Sequence, residues 1–405
     1  MFTKFLSFVL RRRHYWRSVS FDEIAELYTS RLLTVLAVNI VNLFAAVYLY
    51  KLGYSLSFIV LFYGFFYVLR VPFAFFVAKF VAYFGPKHGT LVANLLRIPS
   101  LAAFALVPIA GDQAFWAIAA FGFFQQLSAS AYQIAYTTDF SKVKHAEHAG
   151  KEIGTMHMIE QIAKVISPLA GGAIASFWSP QATIIIASIL FVASALPLFA
   201  TVEPTVTRVR LRIAGFPWRL SMPSLISQSV VGMDFVVSGT VWALFVTLFV
   251  FSGLEDTIYL ALGGLASLGV LVSIITAWVF GQLVDRHKGG VLLTIGVFAN
   301  IITHLFRPFI STPASVMGVS IANETATSAY TLPFTRVVFD VADSSGFRIT
   351  YIMFSEMMLA AGAALCCILL ALFLNLFDDK TAMAVLFIFA AFYELIMLLS
   401  RRAAR

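Results

Sequence analysis

The sequence predicts an all-α protein that lives within a lipid bilayer and is built from two similar halves. Three observations carry this reading. Hydrophobic residues make up 60% of the 405 and charged residues only 12%, a balance that excludes an ordinary water-soluble domain. Apolar runs long enough to cross ~30 Å of hydrocarbon at ~1.5 Å per residue recur about twelve times. The third observation is repetition: Gly150-x-x-Ile153 followed by Glu160 returns with the same spacing as Gly346-x-x-Ile349 followed by Glu356, and Gly53 and Gly64 are echoed by Gly253 and Gly264. A membrane unit written twice in one chain predicts two homologous halves around a common centre.

Taken in order, residues 1–30 read as a cytoplasmic amphipathic segment. Met1 to Trp16 is basic and suited to an anionic membrane surface, and its apolar runs are too short and too interrupted by arginine for a secretory signal. Ser20-Phe21-Asp22-Glu23 has capping-box spacing for a short helix leading into the first span. Spans are expected at 31–51, 55–84, 88–109, 113–138, 152–177 and 181–200, an N-terminal half over residues 31–200. Residues 201–222 form a cytoplasmic linker, because Pro204, Pro217 and the following Pro223 break helical continuity and four arginines hold it on one side. The linker is short, so the halves are expected to form one unit. Spans at 223–252, 257–283, 290–310, 314–338, 347–376 and 380–400 make the C-terminal half, residues 223–400, and residues 401–405 are a basic cytoplasmic tail.

The net charge of +8 does not point to nucleic acid, because the basic residues fall in alternate loops and so specify topology. Arg11, Arg12, Arg13 and Arg17 precede the first span, and Lys87, Lys142, Lys144, Lys151, Arg208, Arg210, Arg212, Arg219, Arg286, Lys288, Arg348, Arg401, Arg402 and Arg405 all fall on the same face. The opposite face carries Asp112, Glu255, Asp256, Asp378 and Asp379 with only Lys51 and Lys380. Both termini are therefore expected in the cytoplasm of a multi-pass protein of the cell membrane. Cys366 and Cys367 are adjacent inside one span, a placement for packing and not for a disulfide framework or metal site. Lys144-His145-Ala146-Glu147-His148 lacks a ligand frame and reads as a solvated loop. No phosphate-binding loop is present and no hydrophilic loop is long enough to fold as a catalytic domain, so neither an enzyme nor a cofactor is expected.

Gly281-Gln282-Leu283-Val284-Asp285-Arg286 closes the eighth span. Here the chain resembles the major facilitator superfamily, whose signature after the second span of each half is Gly-x-Leu-x-Asp-Arg-x-Gly-Arg-Lys. The second half keeps Gly281, Leu283, Asp285 and Arg286; the first half keeps Gly85 and Lys87, but Ala82 and Tyr83 stand where the Asp-Arg pair belongs. The resemblance implies two six-helix halves that alternate access to a central cavity, with Asp285 as a latch that pairs when one side closes. In the fifth span, Ser167-Pro168-Leu169-Ala170-Gly171-Gly172 is similar to the Gly-Pro-x-x-Gly-Gly element of drug/proton antiporters in that superfamily. Small residues around a proline also let helices pack closely, so Pro168, Gly171 and Gly172 carry a structural or gating expectation.

Ionisable groups within a span cost free energy, about 2.5 to 3.5 kcal/mol on insertion scales, and so need a partner, a wet cavity or a function. The resemblance implies that spans 1, 4, 7 and 10 line the cavity. In span 10, Ser320, Glu324, Thr327, Ser328, Thr331 and Thr335 share a face at helical spacing, and Glu324 lies ~15 Å deep, near the midplane. Span 7 places Ser227, Asp234 and Ser238 on one stripe. Two carboxylates at similar depth repel, and a proton shared between them can be taken up and released as the cavity changes; Glu324 and Asp234 are the expected coupling pair. Gln125, Ser128, Tyr132 and Tyr136 on span 4, with Asn39 and Asn42 on span 1, offer hydrogen bonds to a substrate or glue between helices. Arg70, Glu160 and Glu356 read as structural or gating ion-pair members, with Arg70 a partner for Glu356 across the halves.

The expected protein is a monomeric secondary transporter of a small molecule, driven by protons, with export of amphipathic or drug-like compounds first and uptake of a sugar or other metabolite second. From other classes stand a polytopic enzyme acting on lipid-linked substrates and a non-transporting sensor or scaffold.

Overall fold

The computed structural model describes residues 21–41, 44–143, 149–199, 208, 210–253, 257–283 and 289–401. The described residues are almost entirely helical and contain no strand. In chain order the α-helices are α1 (Phe21–Val41), α2 (Ala45–Lys51), α3 (Leu56–Phe84), α4 (Pro86–Leu106), α5 (Ala114–Val143), α6 (Ala149–Phe177), α7 (Pro180–Ala195), α8 (Trp218–Phe235), α9 (Trp242–Phe249), α10 (Ile258–Leu283), α11 (Gly289–Phe306), α12 (Pro313–Ser344), α13 (Arg348–Leu376) and α14 (Asp379–Tyr393). A π-helical turn, Val236–Val241, joins α8 to α9, and 3-10 turns follow α11 (Arg307–Phe309) and α14 (Glu394–Ser400).

Among the described residues, nine helical segments are long and apolar enough to cross a bilayer. Three further helices, α5, α6 and α12, have 30, 29 and 32 residues but are not among them. Their polar side chains explain this: Gln126, Ser128 and Ser130 on α5, Glu160, Gln161 and Ser167 on α6, and Asn323 and Ser328 on α12 are all buried in the bundle. Mean hydropathy falls when a helix turns a polar face inward. The outside is the reverse, with Leu61, Phe65, Phe76, Ile185, Ile189, Ile295 and Phe392 exposed, as expected of a surface solvated by lipid tails.

Local signals set the helix ends. Ser55 caps α3 by accepting from Phe58 N at 3.2 Å, and Gly85, at φ 96°, lets the chain pass directly from α3 into α4. Thr312 and Ser315 form a capping box with Pro313 at the first position of α12. Gly346, one member of the sequence repeat, sits at φ 69° between α12 and α13, whereas its counterpart Gly150 lies inside α6.

The first six expected spans meet the last six chiefly through α3 against α13 and α6 against α10. Small residues permit both approaches. A Cβ on Gly172 would lie 2.4 Å from the Tyr259 carbonyl oxygen, and one on Gly263 would lie 2.3 Å from that of Pro168. The expected site positions Asn42, Asp285 and Arg286 lie outside the described residues, as do residues 1–20, 144–148 and 201–207; Gly281 lies in the last turn of α10.

Candidate functional site

A cavity of about 210 Å³ opens between α1, α6, α8 to α9, α10 and α12. Trp242, Ala243, Val246, Leu262, Leu265 and Val270 give it an apolar wall, and Asn39, Ser238, Arg307, Ser320, Asn323 and Glu324 give it polar groups. Pro168 reaches the same wall. Ser238 arrives there because the π turn shifts the helical register between α8 and α9; such turns place side chains that a regular helix would aim elsewhere. Trp242 Nε1 donates to Ser320 Oγ at 3.2 Å and ties this turn to α12. Glu324 has no hydrogen bond or ion pair with any described residue, and its Cγ lies 2.9 Å from where a Cβ on Gly269 would stand. The space for its side chain exists because residue 269 is glycine.

Asp234 does not line this cavity. Its carboxylate points into the bundle, accepting from Ser238 Oγ and from Tyr330 OH, each at 2.6 Å, with His304 Nε2 at 3.3 Å. Arg307 connects the two regions. It donates to Ser238 Oγ at 2.9 Å and to Asn323 Oδ1 at 2.8 Å, lies 2.9 Å from His304 Nδ1, and packs its guanidinium over the Trp242 and Phe387 rings at 5.1 and 5.5 Å. Arg307 is 1% exposed and His304 0%, so this is a dry network in which each charge is felt strongly.

Asp234, His304 and Glu394 offer ligand atoms within 4.8 Å of one another, a spacing that could suit a metal ion. The hydrogen bond at Nδ1 decides otherwise. An arginine can only donate, so Nδ1 accepts and the ring proton resides on Nε2. Nε2 then donates toward Asp234 and has no lone pair for a metal. Asn300 Nδ2, 3.3 Å from the same nitrogen, is a neighbour without a hydrogen bond in this tautomer.

In the first half, Glu160 pairs with Arg31 of α1, Nε to Oε1 at 2.6 Å and NH2 to Oε2 at 3.2 Å. Tyr136 OH donates to Glu160 at 3.0 Å, Arg31 donates to Tyr132 OH at 2.8 Å, and the guanidinium stacks 4.1 Å over the Tyr136 ring. Gln125 accepts from Arg97 and Ser128 donates to the Ala93 carbonyl at 2.7 Å. These α5 side chains are held by neighbours on α1, α4 and α6. Ser328 shares a hydrogen with Ser273 at 3.1 Å, and Thr331 donates to the Thr327 carbonyl at 2.6 Å. Thr331 also lines a second cavity of about 140 Å³, together with Gln133, Gln228, Ser355 and Glu356. Arg70 on α3 and Glu356 on α13 meet, Nε to Oε1 at 2.6 Å, with Gln126 accepting from Arg70 at 3.3 Å. Gly171 and Gly172 lie in helix contacts and not in the cavity, Gly171 against the Ile40 backbone.

Sequence reasoning passed over Arg31, His304 and Glu394 as site residues. A signal for His304 was present: Asn300, His304 and Arg307 recur at i, i+4 and i+7, one helical face.

A helical bundle with a mostly apolar cavity edged by polar groups, close glycine contacts between helices and an apolar exterior is a build suited to membrane transport. The chain belongs to the Major Facilitator Superfamily, whose family model matches residues 27–356. Among solved structures, a bacterial homologue of the iron transporter ferroportin in an inward-facing state is 13% identical with a TM-score of 0.65, over 96% of this chain and 100% of that one. The nucleoside transporter NupG is 12% identical, TM-score 0.65, over 94% and 99%. A POT family transporter in complex with a thioalcohol-conjugated peptide is 10% identical, TM-score 0.71, over 94% and 96%. At these identities the likeness is one of fold. No curated protein matches the chain.

Proposed function

We propose that the protein is a twelve-span secondary transporter of the cell membrane, with both termini cytoplasmic, in which residues 31–200 and 223–400 rock about the cavity beside Glu324. The cargo is a small amphipathic molecule carrying a basic group, and it exchanges for protons. One observation carries this reading: Glu324 faces a mostly apolar cavity with no described hydrogen-bond or ion-pair partner. A carboxylate there has two ways to lower its energy, by taking a proton or by pairing with a cationic ligand. It cannot do both, and that competition is the chemistry of antiport. Asp234 acts through Ser238 and Arg307, which join it to the cavity edge. The likeness of Ser167 to Gly172 to the drug/proton antiporter element supports export.

The similar solved structures include the ferroportin homologue and a bacterial metal transporter. A metal cargo finds less to hold it in this cavity, where one carboxylate stands among hydroxyls, amides, a guanidinium and an apolar wall.

The test is transport in proteoliposomes with an imposed pH gradient, using amphipathic amines beside neutral isosteres, for the native chain and Glu324→Gln. Gradient-driven movement of amines by the native chain alone is expected. Equal transport of neutral isosteres, or full coupling in the variant, would overturn the reading.

A further inference from the structure

Behind the cavity wall lies Glu394, where α14 tightens into its 3-10 turn, 2% exposed. Its Oε1 accepts from Asn300 Nδ2 at 2.9 Å and lies 3.8 Å from His304 Nε2. Its other oxygen, Oε2, has no hydrogen-bond partner, and neither has Oδ1 of Asn300. Two acceptors on side chains that already share a hydrogen bond are thus both buried and unmatched, a condition that buried polar atoms rarely show.

A single proton resolves both. Protonated on Oε2, Glu394 donates as well as accepts, and an acid facing an amide can close a ring in which each gives the other one hydrogen. The charges agree. Among the described residues, the titratable groups that face Glu394 are Asp234 from α8, His304 from α11, Arg307 from the turn that follows it and Tyr330 from α12. Arg307 donates to His304 Nδ1, so the imidazole is the neutral tautomer, and among these described groups the guanidinium is the one cation against the carboxylates of Asp234 and Glu394. Leaving both ionised would bury an uncompensated negative charge.

We propose that Glu394 is a proton-binding site, holding its proton at neutral pH in a cyclic pair with Asn300 and coupled through the His304 N–H to Asp234. When the site opens and this proton passes to water, the Nε2 hydrogen is drawn from Asp234 toward the new carboxylate. Asp234 then loses a donor, and the Ser238 to Arg307 edge of the cavity is loosened. The site deepens the proton-coupled reading of the cavity and rests on it for the use made of the proton. The presence of the proton is independent of that reading.

The test is infrared difference spectroscopy of the full chain in lipid nanodiscs, with and without carboxyl-13C glutamate. A carbonyl band of a protonated carboxylic acid is expected at neutral pH, shifting with the label, lost in Glu394→Gln and kept in Glu324→Gln. Glutamine supplies N–H in place of O–H and so preserves the pairing with Asn300. Should that variant fail to fold, Asn300→Ala serves: it should keep the band and move it to higher frequency as the hydrogen bond is lost. No labelled band in the native protein, its persistence in Glu394→Gln, or an unmoved band in Asn300→Ala would each overturn the proposal. So would stoichiometric binding of Zn2+ or Mn2+ that Glu394→Gln abolishes, which would make the site a metal site. If exchange in proteoliposomes proves indifferent to a pH gradient while the band is present, the coupling reading falls and this site stands; a missing band with gradient-driven exchange is the opposite case.

Discussion

Arg70 on α3 and Glu356 on α13 are joined at 2.6 Å across the contact between the two sets of six expected spans, with side chains 10% and 2% exposed. Removing one partner of a buried ion pair strands the other's charge, at a cost of about 3–5 kcal/mol, whereas replacing both by apolar residues of similar size is often neutral. Arg70→Met alone and Glu356→Leu alone should therefore each lower thermal stability in detergent strongly. The double variant should recover most of the loss, and a double-mutant cycle measures the coupling. Additive losses would show that the pair contributes nothing as a pair.

The repeated glutamates differ in their partners. Glu356 on α13 binds Arg70 on α3, but Glu160 on α6 binds Arg31 on α1, both among the first six expected spans. A glutamate-to-glutamine change should separate them. Glu356→Gln should loosen the contact of α3 with α13, read as a change in cysteine labelling of Thr331 or Ser355 variants in the adjoining cavity. Glu160→Gln should leave that labelling unchanged and act on local packing of α1, α5 and α6.

Glycines in the α8 to α13 contact set a steric limit. A Cβ on Gly362 would stand 1.8 Å from the Ser229 carbonyl oxygen, and one on Gly232 would stand 1.9 Å from that of Leu359. Backbone cannot swing aside as a side chain can, so Gly362→Ala must shift a helix. Overpacking of this kind costs about 1–3 kcal/mol or more. The expected result is a marked fall in melting temperature, against a small change for Gly318→Ala, where nothing lies within 4 Å.

The helical build and the family were legible in the sequence, because apolar length and alternating basic loops reflect bilayer physics directly. The pairing of Arg70 with Glu356 was legible as well, since two opposite charges in neighbouring spans have few other ways to be satisfied. Which face each polar residue presents was much less so. Tyr132 and Tyr136 carry the spacing of a cavity stripe, but Arg31 claims them both, and that arginine stands at the very edge of an apolar run, where the sequence names no partner for it. Asp234 has the depth of a cavity carboxylate, yet it turns inward because Tyr330, Ser238 and His304 offer it three donors. The π turn that brings Ser238 to the wall has no clear signature in side-chain periodicity.

Asp378 caps α14 outside the spans. The Thr381 hydroxyl donates to it at 2.7 Å and the Thr381 amide at 3.1 Å, and these bonds hold its carboxyl below the usual range. A value lower in the folded protein than the ~3.9 of an unfolded chain means stabilisation that is present above ~3.9 and is lost as pH falls through the folded value. Protection of the Thr381 amide from hydrogen exchange should accordingly persist to mildly acid pH and collapse below it. Asp378→Ala should remove it at every pH.

Gly269 offers a test of the cavity that leaves the charges alone. A Cβ there would stand 2.9 Å from Glu324 Cγ and 3.5 Å from Cδ, so Gly269→Ala pushes on a flexible side chain and not on backbone. Alanine is also the better helix former by about 0.8–1.0 kcal/mol, which offsets the crowding, and the melting temperature should change little. Glu324, however, must rotate away from α10 and carry its carboxylate with it. If that carboxylate binds both cargo and proton, KM for an amine substrate should rise by several-fold and the dependence of transport on pH should move with it. A merely structural Glu324 predicts the reverse pattern, stability altered and KM for transport untouched.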